Sequence, residues 1–182
     1  MTTIIALLRG INVGGKNLVP MAALRAAALE VGLDDPATLL QSGNLVARAA
    51  SARPAEIEAS LESIVAERIG PRIDVMVRTA KEWAAVIAKN PFDDLAASDP
   101  SHLVAMILKE APKPTAVESL RAAIAGNESI EAVGRTLYVA YPDGIGTSKL
   151  TNAIIERKLA TSGTARNWNT VLKIRDLAAS MA

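Results

Sequence analysis

The feature that most constrains this chain is an order of elements that occurs twice. Residues 3–9 form an apolar run closed by a glycine-rich turn, the pattern of a buried strand. Pro20 then opens a helix with Met21, Leu24, Ala28 and Val31 on one face, and Gly32 stands where a C-terminal cap glycine belongs. Residues 38–41 and 45–49 read as two short strands around Ser42-Gly43-Asn44, whose Gly-Asn suits a tight turn. Pro54 opens a second helix with Ile57, Leu61, Ile64, Val65 and Ile69 at helical spacing, and Gly70-Pro71 ends it. Residues 73–77 complete the set as a fourth strand.

After a short helix at 81–89 and a polar loop running to Pro100, the order starts again. Residues 102–108 read as a strand. Pro114 opens a helix with Val117, Leu120 and Ile124 inside, closed by Gly126-Asn127. Residues 129–133 and 136–141 make a hairpin around Gly134-Arg135. Thr147 or Ser148 caps a helix with Leu150, Ile154, Ile155 and Leu159 inside, and residues 161–166 hold a last strand. A terminal helix turns Val171, Ile174, Leu177 and Met181 inward. The first strands also align, IIALLR at 4–9 with VAMILK at 104–109. The doubled β-α-β-β-α-β order predicts an α+β fold of two tandem ferredoxin-like (α/β plait) subdomains plus a C-terminal helix. The first spans residues 1–78, a connecting helix and loop 79–99, and the second 100–182.

Composition narrows the chemistry. The 182 residues include no cysteine and one histidine, His102, which excludes disulfide scaffolds, thiolate metal sites, cysteine nucleophiles and multi-histidine centres. No apolar run reaches the ~18–20 residues of a membrane span. The N-terminus lacks the basic start and small-residue cleavage site of a signal peptide. These features predict a soluble cytoplasmic protein with no membrane partner. Charge is uneven: residues 1–29 carry Arg9, Lys16 and Arg25 and no acid, +3. Residues 147–175 carry six basic side chains against Glu156, +5, and residues 30–146 carry 11 basic and 17 acidic ones, −6. Asp176 brings the net to +1. If the two ends meet, they form one positive face.

The polar motifs lie in these basic ends. Gly10-Ile-Asn12-Val-Gly14-Gly15-Lys16-Asn17 nearly satisfies the phosphate-loop pattern G-x-x-x-x-G-K-S/T, following a strand and preceding a helix. Asn17 replaces the hydroxyl that holds Mg²⁺, and Pro20 delays the helix, so a nucleotide-hydrolysing loop is disfavoured. An anion-binding turn built from glycine amides and Lys16 is the functional reading, and a glycine-rich connection with an exposed lysine is the plain one. Gln41-Ser42-Gly43-Asn44 is a polar hairpin tip. Ser148-Lys149 before a helix is a further anion seat. In Thr164-Ala-Arg166-Asn167-Trp168-Asn169-Thr170, Asn167 is placed to cap the last helix and Trp168 to pack on the core.

Catalytic groups are sparse. His102 opens a strand, no carboxylate pair adjoins a polar motif, and no general base stands out. Base-stacking RNA recognition is disfavoured, because the first and third strands carry no aromatics in the first half, and Tyr138 and Tyr141 fall on opposite faces in the second.

LLRGINVGGKN at 7–17, QSGN at 41–44, NPF at 90–92 and TARNWNTV at 164–171 together resemble the bacterial family of domains of unknown function 1697, over nearly the whole chain. The resemblance implies two ferredoxin-like subdomains and no established activity. Its signature positions here are Arg9, Gly10, Asn12, Gly14, Gly15, Lys16 and Asn17, then Gln41, Ser42, Gly43 and Asn44, then Asn90 and Pro91. They end with Ser148, Lys149, Arg166, Asn167, Trp168, Asn169 and Thr170.

Three functions fit these observations. The first is binding of a phosphate-containing small molecule, nucleotide or nucleic-acid backbone at the basic ends. The second is a transferase or hydrolase acting on such a ligand. The third is a protein–protein interaction module, which a flat apolar patch would favour, whereas a groove containing both Lys16 and Arg166 would favour the first two. No residue pattern points to a cofactor, a metal or an oligomeric state. The site reading expects the turn at 10–17, the tip at 41–44 and the segment 166–170 to converge. The first strand's exit and the hairpin tip are expected at opposite sheet ends, so that the last segment or the other subdomain must bridge them. The fallback is convergence of the first and last segments alone.

Overall fold

Apolar runs bounded by glycine and proline become strands, and the alanine- and leucine-rich stretches between them become helices. The computed structural model describes residues 1–51 and 53–181. The first half runs β1 (Thr2–Leu8), α1 (Met21–Glu30), β2 (Asp34–Leu39), β3 (Asn44–Ala49), α2 (Pro54–Arg68) and β4 (Val75–Thr79). Helices α3 (Ala80–Ala88) and α4 (Asp93–Ser98) and a 3-10 turn (Pro100–His102) follow. The second half runs β5 (Leu103–Leu108), α5 (Pro114–Ala122), β6 (Ser129–Val133), β7 (Thr136–Ala140), α6 (Asn152–Leu159) and β8 (Gly163–Asn167). Helix α7 (Trp168–Ser180) ends the described chain. Two units result: Met1–Ala85 with Lys173–Ala182, and Val86–Leu172.

Each unit holds a four-stranded antiparallel sheet, in the orders β2-β3-β1-β4 and β6-β7-β5-β8. The fold is therefore two tandem ferredoxin-like subdomains with a C-terminal helix. In the first, Ile4, Ala6, Leu8, Leu45, Ala47, Val75 and Val77 line the sheet face that packs with Leu24, Ala28, Leu61 and Val65. In the second, Val104, Met106, Leu108, Leu137 and Val139 pack with Val117, Leu120, Ile155 and Leu159. Ile57, Ile64 and Ile124 are partly buried at the edges of these cores. The alternate residues Ile5 and Leu7, and Ala105 and Ile107, are buried as well. Burial on both faces explains why β1 and β5 read as continuous apolar runs.

The repeat extends to a polar residue. Arg78 pairs across the sheet with Ile5, and Arg166 with Ala105, the equivalent register positions. Both arginines are buried. Each donates from Nη1 to the carbonyl of the preceding residue, Val77 or Ala165, at 2.8 Å.

Several boundaries depart from expectation. The fourth strand lies at Val75–Thr79 and not at 73–77, because it carries the buried Arg78, which an apolar count passes over. The turn of the first hairpin is residues 40–43, with left-handed Leu40 and Gly43, and not the tight Gly-Asn turn. Helix α5 stops at Ala122, ahead of Gly126-Asn127. The polar loop before Pro100 contains α4, which buried Asn90 leads into by accepting from Phe92 N–H at 3.1 Å. The cap of α6 is Thr151, whose hydroxyl accepts from Ile154 N–H, and not Thr147 or Ser148. Among the described residues no helix is long and apolar enough to cross a membrane.

Candidate functional site

The sequence from residue 9 to residue 20 spends its polar groups on itself. Gly14 and Gly15 have φ of 57° and 75°, and Lys16 N–H donates to Val13 carbonyl at 3.0 Å. Two positive-φ residues between bonded neighbours make a two-residue hairpin turn of the primed kind, which glycine permits at low cost. Asn12 N–H donates to Asn17 carbonyl at 3.2 Å and continues this small hairpin. Asn17 Nδ2 donates to Gly10 carbonyl at 3.1 Å. Asn12 is the hub: its Nδ2 donates to Val19 carbonyl (3.0 Å) and Gln41 carbonyl (2.8 Å), and its Oδ1 accepts from Val19 N–H (2.8 Å). The phosphate-loop likeness is thus a stapled β-hairpin, and α1 begins beyond it at Met21.

The same bonds bring the second motif alongside. Leu7 pairs with Asn44 because β1 and β3 are antiparallel neighbours, so the end of β1 and the tip before β3 share one end of the sheet. Leu8 N–H donates to Gly43 carbonyl at 2.9 Å. Opposite sheet ends were the wrong expectation, and the turn at 10–17 meets the tip at 41–44 with no bridging segment. Gly43 is required there, since a Cβ would lie 2.7 Å from Ile11 Cδ1 and 2.8 Å from Leu8 Cβ. Buried Asn44 donates to Leu39 carbonyl (2.8 Å) and Ser42 Oγ (3.1 Å), bracing the tip from inside.

What remains outward combines apolar groups, one cation and the neutral polar side chains of Asn17, Gln41 and Ser42. Val13, Leu18 and Leu40 are 68%, 64% and 52% exposed. Each is the chain neighbour of Asn12 or of a residue that Asn12 or its hairpin partner Asn17 holds. Gly14, Gly15, Lys16 and the Gln41 side chain are exposed with them. Among the described residues no carboxylate pairs with Lys16. Arg9 is half-buried where the connection begins, its N–H on Asp74 carbonyl at 3.0 Å.

In the second unit, Ser148 and Lys149 do not open a helix as expected. They lie on the connection between β7 and α6, at the edge of a cavity of about 480 Å³. Ser148 Oγ donates to Glu128 Oε1 and accepts from Leu150 N–H at 3.0 Å. Asp143 also lines the cavity. Tyr141, beneath this connection, donates to Leu150 carbonyl at 3.1 Å, and burial, with the Glu128 charge, pushes its hydroxyl up to about 12.

The third motif is mostly internal. The Arg166 guanidinium is buried, donates to Thr164 Oγ1 at 2.7 Å, and is pushed down to about 10 by desolvation. Asn167 caps α7, accepting from Thr170 N–H at 3.0 Å. Trp168 is buried with its ring 6.5 Å from that of Tyr138, whose hydroxyl donates to Val86 carbonyl at 2.5 Å. Asn169 stays exposed. His102 pairs with Asp99 at 2.6 Å. Hydrogen bonding from Ser101 first, then His102, holds the Asp99 carboxyl below its ordinary range. Among the described residues no His, Asp and Glu group could hold a metal ion.

Two features were missed. Glu128 bonds Ser148 from 20 positions away, and Asp143, on the same connection as Ser148, lines the same cavity with them. The exposed aliphatics had a local signal: Val13 and Leu18 sit in a glycine- and asparagine-rich stretch that buries no continuous face.

Comparison with known proteins bears on family and fold. A family model described as "Protein of unknown function (DUF1697)" matches residues 1–138. No curated protein matches the chain. The solved structure of conserved bacterial protein SP0830 from Streptococcus pneumoniae aligns over 97% of this chain and 98% of that one, with a TM-score of 0.77 at 21% identity. At that identity the likeness speaks to the fold alone.

Proposed function

This chain belongs to the DUF1697 family of proteins of unknown function, and from that premise, which assigns no activity, we propose that its first unit is a protein-docking module. Its contact surface is the stapled connection between β1 and α1 with the adjoining hairpin tip. The observation that carries this reading is the exposure of Val13, Leu18 and Leu40 around Lys16 on a loop that Asn12 and Asn17 hold in one shape. Exposed apolar groups gathered on a rigid scaffold mark contact surfaces, because burying them is favourable and little ordering entropy is lost on association. The surface is a projecting turn, whereas small molecules are held in concave sites. A partner that fits it offers an apolar depression with a carboxylate at the rim for Lys16.

The test is photo-crosslinking in the source cells, with a benzophenone amino acid at position 13 or 18. Position 29 serves as control, since Leu29 is 56% exposed on α1. A discrete adduct from 13 and 18, absent at 29 and reduced by Lys16→Glu, supports docking. Adducts identical at all three positions contradict it.

A second reading keeps an anionic, phosphate-containing ligand. It is favoured by the amides of Gly14 and Gly15, for which no partner exists among the described residues, beside the cation of Lys16. A nucleotide, sugar phosphate or oligonucleotide bound there raises the melting temperature. Lys16→Ala removes that rise.

A further inference from the structure

The second unit contains a cavity that the docking surface does not involve. Its volume, about 480 Å³, falls within the ~300–1,000 Å³ of small-molecule sites. Ile124, Leu150 and Ile154 supply an apolar wall, and Glu128, Asp143 and Lys149 stand around it. The charges are placed and not exhausted. Glu128 Oε1 accepts from Ser148, and its Oε2 lies so close to Gly126 that a Cβ there would collide with it. Asp143 Oδ2 accepts from Asn127 Nδ2 at 2.9 Å. Among the described residues no lysine or arginine pairs with Glu128 or Asp143, and no carboxylate pairs with Lys149. Glu128 is half-buried, and a half-buried carboxylate without a cation loses hydration that no protein charge returns, while Asp143 and Lys149 are exposed beside it.

We propose that this cavity binds a small zwitterion, an apolar amino acid or dipeptide, with its ammonium between Glu128 and Asp143, its carboxylate at Lys149 and its side chain on the Ile124–Leu150–Ile154 wall. Each alternative leaves a mismatch. A phosphate or simple acid meets two carboxylates against one lysine. A simple amine leaves Lys149 unmatched. An uncharged apolar molecule leaves all three charges without partners. The signature residues Ser148 and Lys149 acquire a purpose: the Ser148 hydroxyl orients Glu128, and Lys149 reads the acid group.

The experiment is calorimetric titration of the full chain with L-leucine and L-leucyl-L-leucine. The comparison probes are isoamylamine, which lacks the carboxylate, and 4-methylpentanoate, which lacks the ammonium. At least one zwitterion is expected to bind saturably, and removal of either charge to weaken binding at least tenfold, a difference of about 1.4 kcal/mol. Glu128→Gln, which keeps an oxygen for Ser148, is expected to weaken the zwitterion at least tenfold with an unchanged circular-dichroism melt. If that variant does not fold, exposed Lys149→Ala replaces it, and is expected to weaken the zwitterion but not isoamylamine. No saturable heat from either zwitterion up to about 10 mM, well above the affinities typical of ligand sites, overturns the proposal. So does equal binding of 4-methylpentanoate, or zwitterion binding indifferent to the variant used.

Discussion

The two units share a strand order and differ in which connection they enlarge. From β1 to α1 the chain takes residues 9–20, while the equivalent step from β5 to α5 takes residues 109–113. The reverse holds one step later: β3 reaches α2 through residues 50–53, but β7 reaches α6 through residues 141–151. Each sheet therefore closes with the short form of the link that the other lengthens. The fold requires neither long form, and lengthening a surface loop costs little free energy. The first unit's long link is a projecting hairpin with apolar groups outward. The second unit's long link borders a cavity with fixed charges. The polar motifs at 10–17 and 148–149 lie on these two links, and on the readings proposed above the two units use them differently.

The comparison first needs two equally built cores. Leu61 and Leu120 are fully buried in their respective units. Leu61→Ala and Leu120→Ala are each expected to lower unfolding free energy by about 2–5 kcal/mol in urea titrations. A loss below about half a kcal/mol in either would show that its unit is not packed as described.

Titration adds a test of the second unit, where Tyr138, Tyr141 and Arg166 are strongly shifted. Tyr138 and Tyr141 are pushed up to about 12 by burial. The folded chain then holds these protons more tightly than the unfolded one. Their contribution is complete below pH 10 and is lost as pH rises toward 12, on the order of a few kcal/mol for each tyrosine. Arg166, pushed down to about 10, acts oppositely, since the unfolded chain keeps that proton longer and stability rises from pH 10 upward. With two tyrosines against one arginine, urea midpoints are expected to fall between pH 10 and 12. Tyr138→Phe is expected to flatten that fall, and an unchanged slope would contradict the burial of its hydroxyl.

The cap of α6 is a finer test of the enlarged link in the second unit. Thr151→Ala is expected to cost about 1 kcal/mol and Thr147→Ala less than half of that. The reverse ranking would restore the cap to the position that the spacing alone suggested. The smallest effect belongs to the projecting hairpin. Val13→Asn and Leu18→Asn are expected to change stability by less than about half a kcal/mol, while removing the crosslinked adduct.

The architecture was legible because strand, helix and hairpin periods agree with the turn residues in both halves, as the paired runs at 4–9 and 104–109 show. Local chemistry was legible where it acts over a few residues: Asn167 as a cap and Trp168 as core. Partners remote in sequence were not legible. Asn12 read as a polar group on a glycine-rich turn, and its bond to the Gln41 carbonyl, 29 positions away, did not show. Ser148 looked like an anion seat, because Glu128, 20 positions away, was invisible in the string. Arg166 looked accessible, because a buried arginine and an exposed one read alike in sequence.

The central claim is that the polar signature of residues 10–17 builds the loop and that its exposed groups are free for a partner. Urea unfolding of Asn12→Ala beside Lys16→Ala tests this most directly. Asn12→Ala strands Val19 N–H and two carbonyls and is expected to lose about 1–3 kcal/mol. Lys16→Ala is expected to stay within about half a kcal/mol. An Asn12→Ala variant as stable as the parent chain, or a Lys16→Ala variant as damaged as Asn12→Ala, would contradict the account.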